Sequence, residues 1–341
     1  MKKVKNKDKF IEHFINLKTP YLIGLSFVGW FILLLILATA GQTPPYKSTA
    51  IEIGNFKIAW YAIFIMTGIL FGVILAVYEA KFVDINKTHL LDGAMYAIIL
   101  SILGARLYYV IFDPDKANNY RNIGDVFNIA GGGMAIHGAI ITAIIFVIIY
   151  SKIKKMNVFA LADLLAPGLL IGQIVGRWGN FMNQEAHGGP IKEGTYNILK
   201  NIIPKFIMEN MNIGGTYYHP TFLYEGLWNL VGLIIILIVR RKRLLKVGDL
   251  IGYYLIWYGL GRGLLIEPFR TDPLYIGALK VNILFSIVLF AVGGASYLVV
   301  KNILRRDLPY YLDLVNENKE KLKNEKSWYV FVWFRWNSSW F

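Results

Sequence analysis

Several polar residues stand where an apolar environment makes them costly. Arg262 and Glu267 lie inside one apolar run, and Arg177 closes another. His137 and Tyr61 sit two or three residues into two more. Asn180, Asn183 and Glu185 follow directly after Arg177. An ionisable group inside a membrane-crossing run costs at least a few kcal/mol, so each such group is a functional candidate by default. The chain has no cysteine, which excludes disulfides, thiolate metal sites and a cysteine nucleophile. No ligand cluster has metal spacing, and no metal or cofactor is expected. The available chemistry is that of guanidinium, imidazole, carboxylate, amide and phenol; any thiol must come from a substrate.

The elements that position these groups are membrane spans. Of the 341 residues, 56% are hydrophobic and only 17% charged, against about 45–50% and about 25% in soluble domains. The excess gathers into eight apolar runs, at about 21–40, 59–80, 91–112, 134–151, 158–177, 221–239, 249–267 and 281–300. Each is near the ~20 residues a helix needs to cross ~30 Å of hydrocarbon. Open sheet edges are not viable in lipid. The expected fold is an all-α polytopic bundle with a small external cap over about 178–220. The expected organisation is a basic arm and extra span over 1–50, a membrane domain over 51–304 and a charged, aromatic tail over 305–341.

The net charge of +14 would suggest nucleic acid in a soluble protein. Here the cations lie between apolar runs, so no nucleic-acid partner is expected. One set of connecting segments carries nineteen basic residues, including Lys2–Lys18, Lys152–Lys155 and Arg240–Lys246; the alternate, longer set carries nine. The first set should be cytoplasmic, with both termini inside. Run 21–40 ends in small residues, as a signal peptide does, but it is longer than a signal core of ~7–15 residues and reads as an uncleaved anchor. The aromatic stretch 328–341 suits the membrane interface.

Helix rise then gives depth. Arg177 is roughly 28 Å from the inner start of its span, at the outer boundary. Arg262 is roughly 20 Å from the inner start of its own, with Glu267 a turn further out. His137 and Tyr61 enter from outside. Residues from four spans and one loop therefore share the outer leaflet. Simpler roles compete: Arg177 can snorkel to headgroups, Arg262 can pair structurally with Glu267, and Tyr61 can be an interface aromatic. A lone histidine is more often a bonded core residue. His137, however, follows Gly131, Gly132 and Gly133, which permit close approach to a ligand.

The string Gly176-Arg177-Trp178-Gly179-Asn180-Phe181-Met182-Asn183-Gln184-Glu185-Ala186-His187-Gly188 resembles the signature of bacterial prolipoprotein diacylglyceryl transferases. Further stretches agree in order: Ala59-Trp60-Tyr61, Gly104-Ala105-Arg106, Gly132 to Gly138, His219-Pro220-Thr221 with Tyr224-Glu225, and Tyr258 to Asp272. The resemblance covers about 51–300. It implies seven spans, leaving 21–40 as an addition. It also implies a glutamate four residues after the arginine of the sixth family span. Here Glu267 follows Arg262 by five, which either breaks their pairing or requires a local bulge.

The resemblance implies transfer of the diacylglyceryl group of phosphatidylglycerol to the lipobox cysteine of a prolipoprotein in the bacterial cell membrane. A thioether forms and glycerol phosphate leaves. It implies importance for His137, Arg177, Asn180, Glu185, Gly188 and Arg262, and sensitivity at Tyr61 and Tyr258; His219 and Glu267 fall in matching stretches. The chemistry suits these types. Guanidinium forks bind phosphate bidentately, and His137 could take the thiol proton; alternatively the arginines lower the thiol's pKa directly. Asn180 and Tyr61 would orient the headgroup, and Glu185 would hold an arginine or the loop. Two other classes are a transporter, which should place its site near the midplane, and a non-catalytic lipid-binding factor.

Overall fold

The computed structural model describes residues 22–337, apart from 55, 114–119, 121, 129–132, 271–274, 277–278, 281–282 and 285; side chains of 275, 276, 279, 280 and 325–337 are likewise left aside. The basic arm, Gly131, Gly132, Thr271, Asp272 and the aromatic side chains of the tail fall outside the described residues. Within them, seven helices are long and apolar enough to cross a membrane. These are α1 (Leu22–Thr39), α2 (Trp60–Ala80), α3 (Lys87–Phe112), α5 (Ile136–Ile153), α6 (Val158–Asn183), α9 (Thr221–Val239) and α11 (Ser286–Leu304). The eighth expected span is also helical, but composite. It runs as α10 (Asp249–Leu260), then a π-turn (Gly261–Ile266) and a 3-10 turn (Glu267–Phe269). Short helices α4 (Ile123–Phe127), α7 (Glu193–Ile202) and α8 (Lys205–Asn210) lie between spans. The charged tail is a helix, α12 (Tyr311–Asn337). Among the described residues, sheet is confined to two-stranded hairpins such as Thr49–Ile53 with Phe56–Ala59. The all-α reading stands.

The chain forms two compact units. The first comprises residues up to Ala76 and Leu165–Leu312. Small residues let its helices meet backbone to backbone: a Cβ on Gly68 would lie 2.9 Å from the Cα of Gly172, and one on Gly72 3.2 Å from that of Gly168. This is the small-residue contact that membrane helices use in place of a hydrophobic driving force. The added helix α1 is built into this unit. Its Phe27 and Phe31 rings pack against Phe71 and Trp178 at 5.1 and 5.5 Å, and the Trp30 indole N–H donates to Thr67 Oγ1 at 3.3 Å. Leu34 and Ala38 join the buried cluster of Phe64, Val175, Phe181 and Phe222.

At the opposite end of α10 from the π-turn, Lys301 Nζ donates to Asp249 Oδ1 at 2.7 Å and to the Val247 carbonyl at 3.0 Å. The backbone N–H of Lys246 donates to the other oxygen, Oδ2. A buried charge pair is tolerated only when its remaining valences are met in this way. Asp249 thus opens α10 and also pins it to α11.

The second unit comprises Val77–Leu164 and the tail from Asp313. Its α3 and α5 cross where Gly104 abuts Thr142 and Gly138 abuts Tyr108, contacts that leave no room for a side chain at either glycine. The tail helix docks on the turn after α2: Asn318 Nδ2 donates to the Phe82 carbonyl at 3.2 Å, and Val315 is fully buried.

Candidate active site

Helix α6 does not stop at Arg177. It continues to Asn183, so Asn180 and Asn183 belong to its last turns rather than to an external loop. Gln184, at φ 50°, and Ala186, at φ 53°, then turn the chain. The Glu185 N–H donates to the Asn180 carbonyl, and the Glu185 carboxylate accepts from Asn180 Nδ2 at 2.9 Å and Asn183 Nδ2 at 3.3 Å. Glu185 therefore holds the helix end, not an arginine. Asn180 Oδ1 in turn accepts from Arg177 Nη1 at 3.4 Å.

The arginines are organised by a residue that the sequence reading did not single out. Glu225, one turn into α9 and 4% exposed, stands between them. Arg177 Nη2 lies 2.8 Å from Oε1, a charge contact without an aligned hydrogen bond. Arg262 Nη1 donates to Oε2 at 3.2 Å. Arg262 Nε lies 2.7 Å from Glu267 Oε1, and Glu267 is buried. Two guanidiniums and two carboxylates alternate in one chain. The carboxylates are buried, while the guanidiniums keep 22% and 17% exposure. That asymmetry leaves part of each arginine side chain accessible to an incoming anion.

The five-residue step from Arg262 to Glu267 is explained by the π-turn. In a regular α-helix, five residues place side chains about 140° apart. The wider turn instead closes an i→i+5 bond, from the Glu267 N–H to the Arg262 carbonyl, and brings the two onto one face. The pairing survives, and the bulge is present.

Around this core, the Tyr61 ring packs on Gly179 so closely that a Cβ there would clash. Tyr258 lies one turn before Arg262, its ring edge-on to Phe290 at 4.9 Å. Gly188 is hemmed by Phe269 O, Thr221 Cγ2 and His219 Cβ, and its N–H donates to the His219 carbonyl at 2.8 Å. His219 Nδ1 is 3.2 Å from the Tyr224 hydroxyl, and burial pushes its imidazole below the ordinary value of 6.5. Gly188 and His219 thus build the loop wall.

His137 belongs to the second unit, as the second residue of α5, and is exposed. Its approach segment is held by Arg106, buried within α3. Arg106 Nε and Nη2 donate to the carbonyls of Val126 and Asp125, both at 2.8 Å, and Nη1 to that of Gly133 at 3.0 Å. Gly133, at φ 71°, takes a backbone shape that side chains disfavour, and a Cβ would lie 2.7 Å from Arg106 Nη1. The criterion that flagged Arg262, a charge in an apolar run, applies equally to Glu225 and Arg106 and would have found both.

A sequence model of the family described as prolipoprotein diacylglyceryl transferase matches residues 48–299. The chain belongs to this family. A relative from Listeria monocytogenes, named phosphatidylglycerol--prolipoprotein diacylglyceryl transferase, is 42% identical over 270 residues, covering 79% of this chain and 94% of the relative. Relatives with the same name from Bacillus cytotoxicus and Bacillus mycoides are 41% and 40% identical over 271 residues, each covered to 98%. The family match contains the whole arginine–glutamate chain and the Arg106–His137 segment, and it begins after α1.

Proposed function

We propose that this chain transfers the diacylglyceryl group of phosphatidylglycerol to the cysteine thiol of a prolipoprotein lipobox. The observation that carries the reading is the pair of partly exposed arginines, Arg177 and Arg262, fixed by one buried carboxylate, Glu225. Such a pair suits a phosphodiester whose leaving oxygen gains charge in the transition state, because it is already oriented. The substrate's sulfur attacks the glycerol carbon bearing the phosphate. The C–O bond breaks, a C–S bond forms, and glycerol phosphate departs with the electron pair.

Glu225 and Glu267 keep the arginines from reorganising. Asn180 and Tyr61 orient the headgroup by neutral hydrogen bonds, and Gly188 lets the loop wall close in. His137 takes the thiol proton, its segment held by Arg106; the second route to the thiolate is direct lowering of the thiol's pKa by the arginines. By the asymmetry of basic residues, both termini lie in the cytoplasm and the arginine chain faces the outer leaflet of the bacterial cell membrane. Lipid then enters sideways from the bilayer, and the signal peptide presents its cysteine at the same level.

The test is reconstitution of purified protein with phosphatidylglycerol and a lipobox peptide. A diacylglyceryl peptide released together with glycerol phosphate is expected. Absence of product where the Listeria relative forms it would reject the assignment.

A further inference from the structure

The helices that carry the arginine–glutamate chain are tied together unequally. α9 and α10 are clamped by a plug of two tryptophans. Trp228 and Trp257 stack with centroids 4.1 Å apart, and each indole N–H donates to the other's backbone carbonyl, at 3.0 and 3.1 Å. Glu225 lies three residues from one tryptophan and Arg262 five from the other, so the plug fixes this carboxylate against this guanidinium. α6 is held more loosely at that level. Its Ile174 carbonyl faces Gly226 of α9, where even an added Cβ would lie 4.0 Å away. Arg177 Nη2 meets Glu225 Oε1 by charge, without an aligned hydrogen bond. Charge attraction changes slowly with distance, whereas a hydrogen bond weakens steeply when misaligned.

A directional bond to α6 lies one turn before Arg177. Gln173 precedes Arg177 by four residues, so the two share a face of the helix. Gln173 Nε2 donates to the Tyr254 hydroxyl of α10 at 2.8 Å. Tyr254 is buried, and its ring stacks at 6.1 Å on that of Tyr258, which precedes Arg262 by four residues. The other half of the Gln173 amide is unmet: Oε1 is buried without a hydrogen-bond partner among the described residues. An unmet buried acceptor costs stability, and a leucine would suit the apolar span without that cost. The amide therefore contributes something that apolar packing cannot. Its bond to Tyr254 joins the helix of Arg177 directly to the helix of Arg262.

We propose that Gln173 is a positioning residue for the transfer reaction: by donating to Tyr254 it fixes α6 against α10, and so sets Arg177 at the spacing from Arg262 that one phosphate requires. This rests on the transfer reading.

The test is a double-mutant cycle of Gln173→Leu and Tyr254→Phe in the full chain, reconstituted with phosphatidylglycerol and a lipobox peptide. Each single change should lower kcat about tenfold, as misplacement of a distant group does, with KM for phosphatidylglycerol within about twofold of the parent. Both break the same bond, so the double variant should lose no more kcat than either alone. With both partners apolar, the double variant should also regain the parent's melting temperature; a merely structural residue would regain activity with it. In Arg177→Ala, the residue through which Gln173 acts is gone, and Gln173→Leu should have no further effect. Unchanged kcat in both single variants, losses that multiply in the double, or the same tenfold loss on top of Arg177→Ala would overturn the proposal while the parent's turnover left the transfer reading intact. A parent that forms no product would reject that reading and the proposal with it.

Discussion

Arg262 and Arg106 both sit in apolar helices, yet the two regions use a guanidinium in opposite ways. Arg262 is paired with two carboxylates and keeps an exposed edge. Arg106 is buried and donates to backbone carbonyls of α4, at Asp125 and Val126, and of Gly133 before His137. The first arrangement orients a cation toward something that arrives. The second spends the donors on shaping a loop. A charge within a span therefore marks a constrained place, while its partners determine whether it binds a ligand or holds the backbone.

Changes at the two arginine types should separate these roles. Arg177→Ala and Arg262→Ala should reduce turnover with phosphatidylglycerol and lipobox peptide by at least about 10²–10³-fold, the scale for losing an oriented charge donor. Arg177→Lys should recover little, because an ammonium cannot act as a planar fork; full activity in that protein would remove bidentate phosphate recognition from the account.

Glu225→Gln comes next. It keeps the shape but removes the charge between the arginines, and kcat should fall more than KM rises, with a folded protein by circular dichroism. Arg106→Gln should act mainly on the fold. It strips donors from three part-buried carbonyls, at up to about 1–3 kcal/mol for each left unsatisfied. A lowered melting temperature with faster amide exchange over 122–128 and 133–135 is expected. If Arg106→Gln lost phosphate binding with unchanged stability, the contrast between the regions would collapse.

The π-turn allows a finer cut. Deleting the exposed Leu264 would shorten the step from Arg262 to Glu267 to four, which a regular α-turn also places on one face. Activity within about tenfold of the parent would show that the pairing matters rather than the bulge.

The smallest expected effect is at His219. Its imidazole is pushed below 6.5 by burial, so the unfolded chain binds the proton more readily. That contribution is fully present above the unfolded value and is lost as pH falls through the folded one. Melting temperature should drop on acidification below about pH 6.5, and His219→Gln should flatten that part of the profile.

Much of this was open to a reading of the chain alone. Apolar run length set the helical class and the segments, because hydrocarbon thickness fixes how many residues a span needs. The cost of charge in lipid singled out Arg177, Arg262 and Glu267, and the Gly176–Gly188 string carried the family. Even the bulge after Gly261 was one of two outcomes implied by a five-residue step. Partnership was not legible. Glu225 is marked, like Arg262, as a charge in an apolar run, but only the meeting of α6, α9 and α10 places it between two guanidiniums. Asn180 and Asn183 look like loop in the sequence because polar residues usually end a span, whereas their amide bonds to Glu185 let α6 continue. The Trp228–Trp257 plug is likewise invisible in a sequence that spaces its halves 29 residues apart. Composition and spacing are local properties and determine what each segment is. Which charges meet depends on helix crossings, and those were decided by glycine contacts and packing in three dimensions.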